Sequence, residues 1–344
     1  MISVGAIIGA LASLLQYLGN PENMGICVAC MERDITGALG FHRSDAVQYL
    51  RPEIIGFVLG AFMAALIFRE FRARGGSAPI VRFFLGVFAM IGSLVFLGCP
   101  WRAMLRLAGG DGNALLGLAG LACGVALGVW FLSSGYNLGR SHKTYPMVGW
   151  LFPLFMAFLL FLLIMNPPFL LASKSGPGSR HAPLLISLAA GLLIGLLAQR
   201  SRFCTMGAIR DSMLFRDFHL FSGVVSLVVT AFVANLLLGQ FKAGFTGQPI
   251  AHTAHLWNFL GMTLAGLAFV LAGGCPGRQL FLSGEGDGDA AVFVMGMIVG
   301  AGFAHNFTLA SSPKGPGPYG PLAVILGLVF CLSLGFFMRT KEEE

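Results

Sequence analysis

Two stretches of the sequence share a cysteine that is followed by a proline and, two residues later, an arginine. The stretches are Gly98-Cys99-Pro100-Trp101-Arg102 and Gly274-Cys275-Pro276-Gly277-Arg278. Proline is preferred at the first helical position, where its missing N–H is not needed, so each cysteine is predicted to cap a short helix. The free N–H groups and positive dipole end of such a helix favour an anion. Glycine before each cysteine lets a ligand or another backbone come close.

The use of cysteine at these caps predicts a soft ligand. Ser or Thr would cap a helix better, whereas a thiol is a weak donor and a polarisable contact. A thiol therefore gains most against a ligand atom that is itself soft, such as sulfur or selenium. Arg102 and Arg278 add a positive charge to each site, and charges at membrane depth usually mark a pathway or pair with an opposite charge.

A second pair of cysteines lies upstream, and an Arg-Asp dipeptide follows each of them. Cys27 precedes Arg33-Asp34, and Cys204 precedes Arg210-Asp211. These arginines either serve the same anion or pair with the neighbouring aspartate and fix a loop at the membrane surface. The predicted substrate-binding residues are Cys27, Cys99, Cys204, Cys275, Arg33, Arg102, Arg210, Arg278, Gly98, Pro100, Gly274 and Pro276.

The motifs recur at nearly one spacing, which indicates an internal repeat. Each Gly-Cys-Pro-x-Arg stretch is also followed by a Gly-Asp-Gly element that is predicted to end the short helix and form a re-entrant hairpin. The predicted repeats are residues 1–166 and 183–340. If each repeat holds five spans, an odd number, the second enters the bilayer the opposite way up. Such inverted repeats are typical of transporters with a site near the midplane.

The composition excludes a soluble globular protein. Of 344 residues, 56% are hydrophobic and 11% are charged, against about 25% charged in soluble proteins. Ten apolar segments approach the length of a span. The predicted fold is an all-α polytopic membrane protein, with about ten spans in two inverted repeats that form one transport domain over residues 1–340 and a charged tail at 341–344.

The net charge of +7 comes from single Lys and Arg residues between the apolar segments. This pattern is typical of topology signals and does not indicate nucleic-acid binding. Arginines cluster after the second and the sixth segments, which places both loops, and with them both termini, in the cytoplasm.

Cys27-Val28-Ala29-Cys30 leaves a different function open. A CxxC is typical of a dithiol redox pair or half of a zinc site, and the sequence has no second CxxC to complete a zinc site. The alternative is a membrane thiol-disulfide oxidoreductase that uses Cys27 and Cys30. A carrier of soft metal cations and a scaffold that recruits a partner through its basic loops are further alternatives. The chain has no nucleotide-binding loop or hydrolase motif, so a transporter without enzyme activity, cofactor or metal is predicted.

At these residues the sequence resembles the YeeE/YedE family of sulfur-compound membrane transporters. The resemblance rests on Arg202-Phe203-Cys204 through Arg210-Asp211 and on the paired cysteine stretches at 98–102 and 273–278. It implies an inner-membrane protein with an hourglass-like fold that takes up thiosulfate. It also implies that the ion passes the cysteines by thiol-to-sulfur hydrogen bonds. The matching positions are Cys27, Cys99, Cys204 and Cys275.

The Pro-x-Arg that follows Cys99 and Cys275 resembles the YedE-type branch of this family, which is associated with selenium metabolism. The resemblance therefore implies a small inorganic sulfur or selenium anion as substrate. It also implies a small cytoplasmic sulfur-carrier protein as a partner. Sulfur and selenium are close in size and softness, so residue spacing leaves both substrates open.

Overall fold

The computed structural model describes residues 1–339, so the predicted charged tail at 341–344 lies outside the described residues. Fourteen α-helices form in the described part of the chain, with one short 3-10 turn at Pro177–Ser179. Ten helices are long: α1 (Ile2–Tyr17), α3 (Pro52–Ile67), α4 (Pro79–Phe96), α6 (Asn113–Ser133), α7 (Pro146–Met165), α8 (Leu184–Ser201), α10 (His219–Leu237), α11 (His255–Ala272), α13 (Gly288–Asn306) and α14 (Gly320–Phe337). Four are short: α2 (Val28–Ala38), α5 (Pro100–Ala108), α9 (Thr205–Leu214) and α12 (Pro276–Gly284).

Eight helical stretches within residues 1–339 are long and apolar enough to cross a membrane. Three of them join a long helix to the short helix that follows it, as in Pro79–Ala108. The apolar helices α1 and α3 are shorter, at 16 residues each. The only sheet among these residues pairs β1 (Arg74–Gly75) with β2 (His142–Lys143). The predicted all-α polytopic membrane protein is confirmed. Eight stretches of the described residues, rather than about ten, have the length and apolarity of a span.

Helices from the first part of the chain pack along helices from the second part. The pairs are α1 with α10, α3 with α8, α4 with α13, and α6 with α11. Glycines at the crossings let the backbones touch, as they do in many membrane proteins. A Cβ atom added at Gly60 of α3, for example, would collide with the backbone of Leu192 in α8. This close packing fixes the ten long helices around the four short ones.

The helices α4 and α11 precede the two equivalent cysteine motifs, and they run in opposite directions where they pack. Gly92 of α4 contacts Ala265, whereas Phe96, one turn further along α4, contacts Gly261, one turn earlier in α11. Opposite directions of equivalent helices are the relation that an inverted repeat requires. The boundaries of the two repeats at 1–166 and 183–340 stay a prediction.

The short helices end where the Gly-Asp-Gly elements begin. After α5 the chain turns at Gly110, with φ 94°, and after α12 it turns at Gly286, with φ 93°. Only glycine adopts this left-handed conformation without strain. Both glycines also lie against another chain segment, since a Cβ at Gly110 would be 2.6 Å from the carbonyl oxygen of Lys242. The predicted ends of the two short helices are thus observed.

Candidate functional site

Each of the four short helices begins directly after a cysteine. Cys27, Cys99, Cys204 and Cys275 are the N-cap residues of α2, α5, α9 and α12. In three of them the sulfur accepts a hydrogen bond from the backbone N–H three residues later, at N···Sγ distances of 3.2 to 3.5 Å. The caps at Cys99 and Cys275 were predicted from the prolines that follow them. Those at Cys27 and Cys204 were missed, although their recurrence at the repeat spacing was a signal.

The cysteines Cys27 and Cys99 form what we call the first thiol pair. Their sulfur atoms lie 3.7 Å apart, and both side chains are fully buried. Because each cysteine caps a helix, the N-termini of α2 and α5 converge on this pair. The positive ends of two helix dipoles therefore meet at two soft sulfur atoms.

The cysteines Cys204 and Cys275 form the second thiol pair, and the N-termini of α9 and α12 converge on it. Their side chains interact with each other, and both residues are buried. Thr205, which the sequence reasoning missed, lies against the sulfur of Cys275. The two predicted cysteines of each half are thus brought together, in one pair per half.

Arg102 lies beside the first thiol pair without a carboxylate partner among residues 1–339. Its Nε donates to the carbonyl oxygen of Asn23 at 2.8 Å, and its Nη2 donates to that of Ile250 at 3.0 Å. Its Nη1 donates to the sulfur of Cys30 at 3.3 Å. The side chain is fully buried. Neutral groups hold the guanidinium in place and leave its positive charge uncompensated, so this point of the protein favours an anion.

A polar surface cavity of about 400 Å³ lies near Arg102, with Asn23 between them. Asn23, whose carbonyl holds Arg102, lines this cavity together with Gln248, and the two side-chain amides are hydrogen-bonded. Lys242 adds a positive charge to its wall, and Glu22, which pairs with Arg180, adds a negative one. The cavity therefore gives a small anion a polar approach toward Arg102.

The other three predicted arginines form ion pairs. Arg33 bonds the carboxylate of Asp34 at 2.7 Å, and Arg210 bonds that of Asp211 at 2.7 Å. Both pairings agree with the alternative in which each arginine pairs with the neighbouring aspartate. Arg278 bonds a carboxylate too, that of Glu285, at 3.2 Å. The role of these three arginines in substrate binding stays a prediction. Arg102 differs from all three because it bonds no carboxylate among residues 1–339.

The buried Asp34 is shared by two arginines. Besides Arg33 it bonds Arg51, at 2.7 Å, and both arginines are buried. The guanidinium of Arg51 also donates to the carbonyl oxygens of Arg180 and Pro177. The sequence reasoning missed Arg51, because nothing in its spacing relates it to the motifs. With two arginines and one aspartate, the group of Arg33, Asp34 and Arg51 carries a net positive charge at the middle of α2.

The glycines and prolines of the cysteine motifs have local roles in the structure. Pro100 and Pro276 are the first residues of α5 and α12, as predicted. Gly98 makes room for an arginine rather than for a ligand, since a Cβ there would lie 2.7 Å from Cδ of Arg102. Gly274 is similarly close to Gln279, at 3.2 Å.

Among residues 1–339, no group of three His, Cys, Asp or Glu side chains could hold a metal ion.

Four buried aromatic rings lie at the short helices, and the sequence reasoning gave them no role. Trp101 of α5 packs against Phe203, with ring centroids 5.3 Å apart and a nearly perpendicular arrangement. Phe57 and Phe281 surround the same indole, at 5.9 and 6.2 Å. All four rings are fully buried. Trp101 is the largest of the fully buried side chains in the described part of the chain.

Comparison with known proteins finds similarity in parts of the chain. Residues 200–335 match the family model described as Sulphur transport. The thiosulfate transporter TsuA of Spirochaeta thermophila is 34% identical over 99 residues, and that of Escherichia coli is 31% identical over 103 residues. The alignments cover 29% and 30% of this chain, and 29% of the length of each relative. Residues 200–335, which carry the second thiol pair, are thus similar to the Sulphur transport family.

Proposed function

We propose that this protein imports a small sulfur-containing anion across the membrane by passing it between the two thiol pairs. Thiosulfate is the first substrate to test, because both curated relatives are named as its transporters. A selenium-containing anion is the second, since a thiol meets sulfur and selenium with similar softness. The observation that carries the proposal is the first thiol pair, at which two helix N-termini and the uncompensated Arg102 meet.

The anion first reaches the polar cavity beside Asn23, where the charges of Lys242 and Arg102 attract it. At the first thiol pair, the N–H groups of α2 and α5 and the guanidinium of Arg102 replace water around its oxygens. The thiols of Cys27 and Cys99 meet its terminal sulfur. The second thiol pair offers the same kind of contact further along, so the ion moves between two soft sites of similar chemistry.

Cysteine-to-serine variants test the relay, because serine keeps the cap and loses the soft sulfur. We expect Cys99→Ser and Cys275→Ser to lower uptake of labelled thiosulfate at least about tenfold, since a difference of 1.4 kcal/mol changes a rate tenfold. Serine is the better N-cap, so both variants should fold. The measurement is uptake by cells that lack other sulfur and selenium importers, with labelled selenite as a parallel substrate.

The matched control is Cys331→Ser. Cys331 is also fully buried and free, but it lies in α14, away from both thiol pairs. This variant should take up thiosulfate at the wild-type rate. Wild-type uptake by both Cys99→Ser and Cys275→Ser would rule out the relay, even if the protein proves to be a transporter.

The proposal extends to the cell membrane and to a cytoplasmic partner. Two arginine-rich loops, at 69–82 and 199–216, meet at one face of the protein, where Arg200 and Arg202 bond Glu70. We assign this face to the cytoplasm under the positive-inside rule, with both termini on the same side. An inner-membrane location and delivery to a small sulfur-carrier protein follow from the family resemblance. Because these loops are basic, a carrier protein with an acidic surface would bind beside the point where the ion is released.

The oxidoreductase alternative has weaker support. The thiol of Cys27 lies against Cys99, and the thiol of Cys30 accepts a hydrogen bond from Arg102. Both cysteines are fully buried, so a partner thiol cannot reach them in this conformation. Alkylation under reducing and oxidising conditions tests this alternative. A reversible disulfide between Cys27 and Cys30, in a protein that takes up neither anion, would favour the oxidoreductase.

A further inference from the structure

The indole of Trp101 reaches from the first thiol pair to the second. It belongs to the first turn of α5 and contacts the ring of Phe203, which directly precedes Cys204. The same indole packs on Gly277, two residues after Cys275. A Cβ atom at Gly277 would lie 2.9 Å from its Cζ2 and Nε1 atoms. The indole therefore lies between residues that neighbour the two thiol pairs.

Two further rings pack against this indole. Phe57 of α3 and Phe281 of α12 both contact Trp101, and their own ring centroids lie 5.6 Å apart. A constriction lined by apolar rings excludes water and with it a hydrated ion. Trp101, Phe57 and Phe281 thus form a buried apolar cluster beside both thiol pairs.

The indole N–H of Trp101 has no hydrogen-bond acceptor among residues 1–339. A buried tryptophan usually finds a partner for its N–H, and each buried polar group without one requires an explanation. This donor lies against the first turn of α12, next to Gly277. The backbone N–H of Arg278 in that turn already bonds the sulfur of Cys275. An anion there could accept from the indole.

We propose that Trp101 is the gate of the anion pathway. Its indole closes the passage between the two thiol pairs, and its N–H donates a hydrogen bond to the anion that displaces it. Gly277 leaves the room that the indole occupies when the passage is closed. This inference rests on the proposed function, because a gate requires an ion that passes it.

Three variants of the full chain separate the closing role of the ring from the donor role of the N–H. Trp101→Phe keeps an aromatic ring and loses the donor, so thiosulfate uptake should fall about five- to tenfold, the value of one hydrogen bond. Trp101→Ala opens the constriction, so labelled sulfate, which lacks the soft terminal sulfur, should enter at least tenfold faster than in wild type. Gly277→Ala presses a methyl group against the indole and should lower uptake of thiosulfate.

Two variants control for packing changes of the same kind. Gly335 also lies against an aromatic ring, since a Cβ there would be 2.6 Å from ring atoms of Phe131, and it lies in α14 away from the thiols. Gly335→Ala and Trp130→Phe should keep the wild-type uptake per folded molecule. Wild-type thiosulfate uptake by Trp101→Phe, together with unchanged exclusion of sulfate by Trp101→Ala, would overturn the gate.

Fluorescence gives a readout that does not depend on transport. In a variant whose other three tryptophans, Trp130, Trp150 and Trp257, are replaced by phenylalanine, emission comes from Trp101 alone. Thiosulfate should shift this emission and sulfate should not. An unchanged spectrum in a variant that still takes up thiosulfate would overturn the gate and leave the proposed function standing. If wild type takes up neither thiosulfate nor selenite, the proposed function fails, and the gate fails with it.

Discussion

Four arginine side chains are buried among residues 1–339, and they differ in what they bond. Arg33 and Arg51 share Asp34, and Arg106 bonds Asp111. Arg102 bonds two carbonyl oxygens and a thiol instead. A buried charge is tolerated when it is paired and hydrogen-bonded. Arg33, Arg51 and Arg106 are therefore structural by this criterion, whereas Arg102 is the one buried arginine among residues 1–339 that bonds no carboxylate.

This distinction predicts opposite results for two neighbouring substitutions. The Nε of Arg106 lies 2.6 Å from the carboxylate of Asp111, and both side chains are fully buried. Arg106→Met would leave a buried carboxylate without its ion-pair partner, so the free energy of unfolding should fall by about 3–5 kcal/mol. Arg102→Met leaves no carboxylate unpaired and should chiefly reduce uptake. Denaturant titration in detergent, beside the uptake assay, measures both effects.

An exposed ion pair serves as the control. Arg180 bonds Glu22 at 3.0 Å, and both side chains are 57% exposed. Arg180→Met should change the free energy of unfolding by no more than about 1 kcal/mol, as is usual for exposed pairs. A loss of stability in Arg102→Met as large as that in Arg106→Met would contradict the assignment of Arg102 to the ligand.

At the scale of helices, the sequence predicted the long elements and two of the four short ones. Apolar runs of span length identify the long helices because burial in lipid requires them. The helix α2 was missed because its residues include Glu32, Arg33 and Asp34, which no apolar pattern contains. It is fully buried nonetheless, since its Asp34 meets Arg51 from outside the helix. Such a partner is visible only once the chain is folded.

The contact between α3 and α8 can be tested at one glycine. A side chain at Gly60 would meet the backbone of Leu192, which cannot yield as a flexible side chain could. Gly60→Val should therefore lower the free energy of unfolding by about 1–3 kcal/mol, the usual cost of overpacking. Gly75→Ala is the control, because its Cβ would have no neighbour closer than 3.7 Å. Equal unfolding curves for the two variants would show that the backbones of α3 and α8 are not in close contact at Gly60.

At the scale of the whole molecule, the thiol pairs and the gate follow from how separate helices meet. The sequence predicted Cys27, Cys99, Cys204 and Cys275 as one set, from their types and their spacing. It could not predict that Cys27 meets Cys99, because that contact depends on the angle between α2 and α5. The side chain of Trp101 had no sequence signal either, since its partner Gly277 is informative only when the two are in contact.

Contacts between the two parts of the chain should also make stability depend on pH. Hydrogen bonds from Gln199 and Arg200 hold the pKa of Glu70 below its ordinary value of 4.5. The folded protein therefore keeps this carboxylate ionised at pH values where the unfolded chain protonates it. The stabilisation is present above pH 4.5 and is lost as the pH falls through the folded value. Unfolding temperatures measured between pH 3 and 7 should decline less steeply in Glu70→Gln than in wild type.

The contact of Trp101 with Gly277 has a consequence for how the chain could have arisen. If a duplicated gene supplied the two halves, the ancestral protein was a dimer of identical subunits, and these two positions faced each other across its symmetry axis. Two indoles would not fit in the space that one now fills, and two glycines would leave it open. Identical subunits therefore could not have closed the passage in this way. Under that origin, fusion into one chain is what let the two equivalent positions become a tryptophan and a glycine.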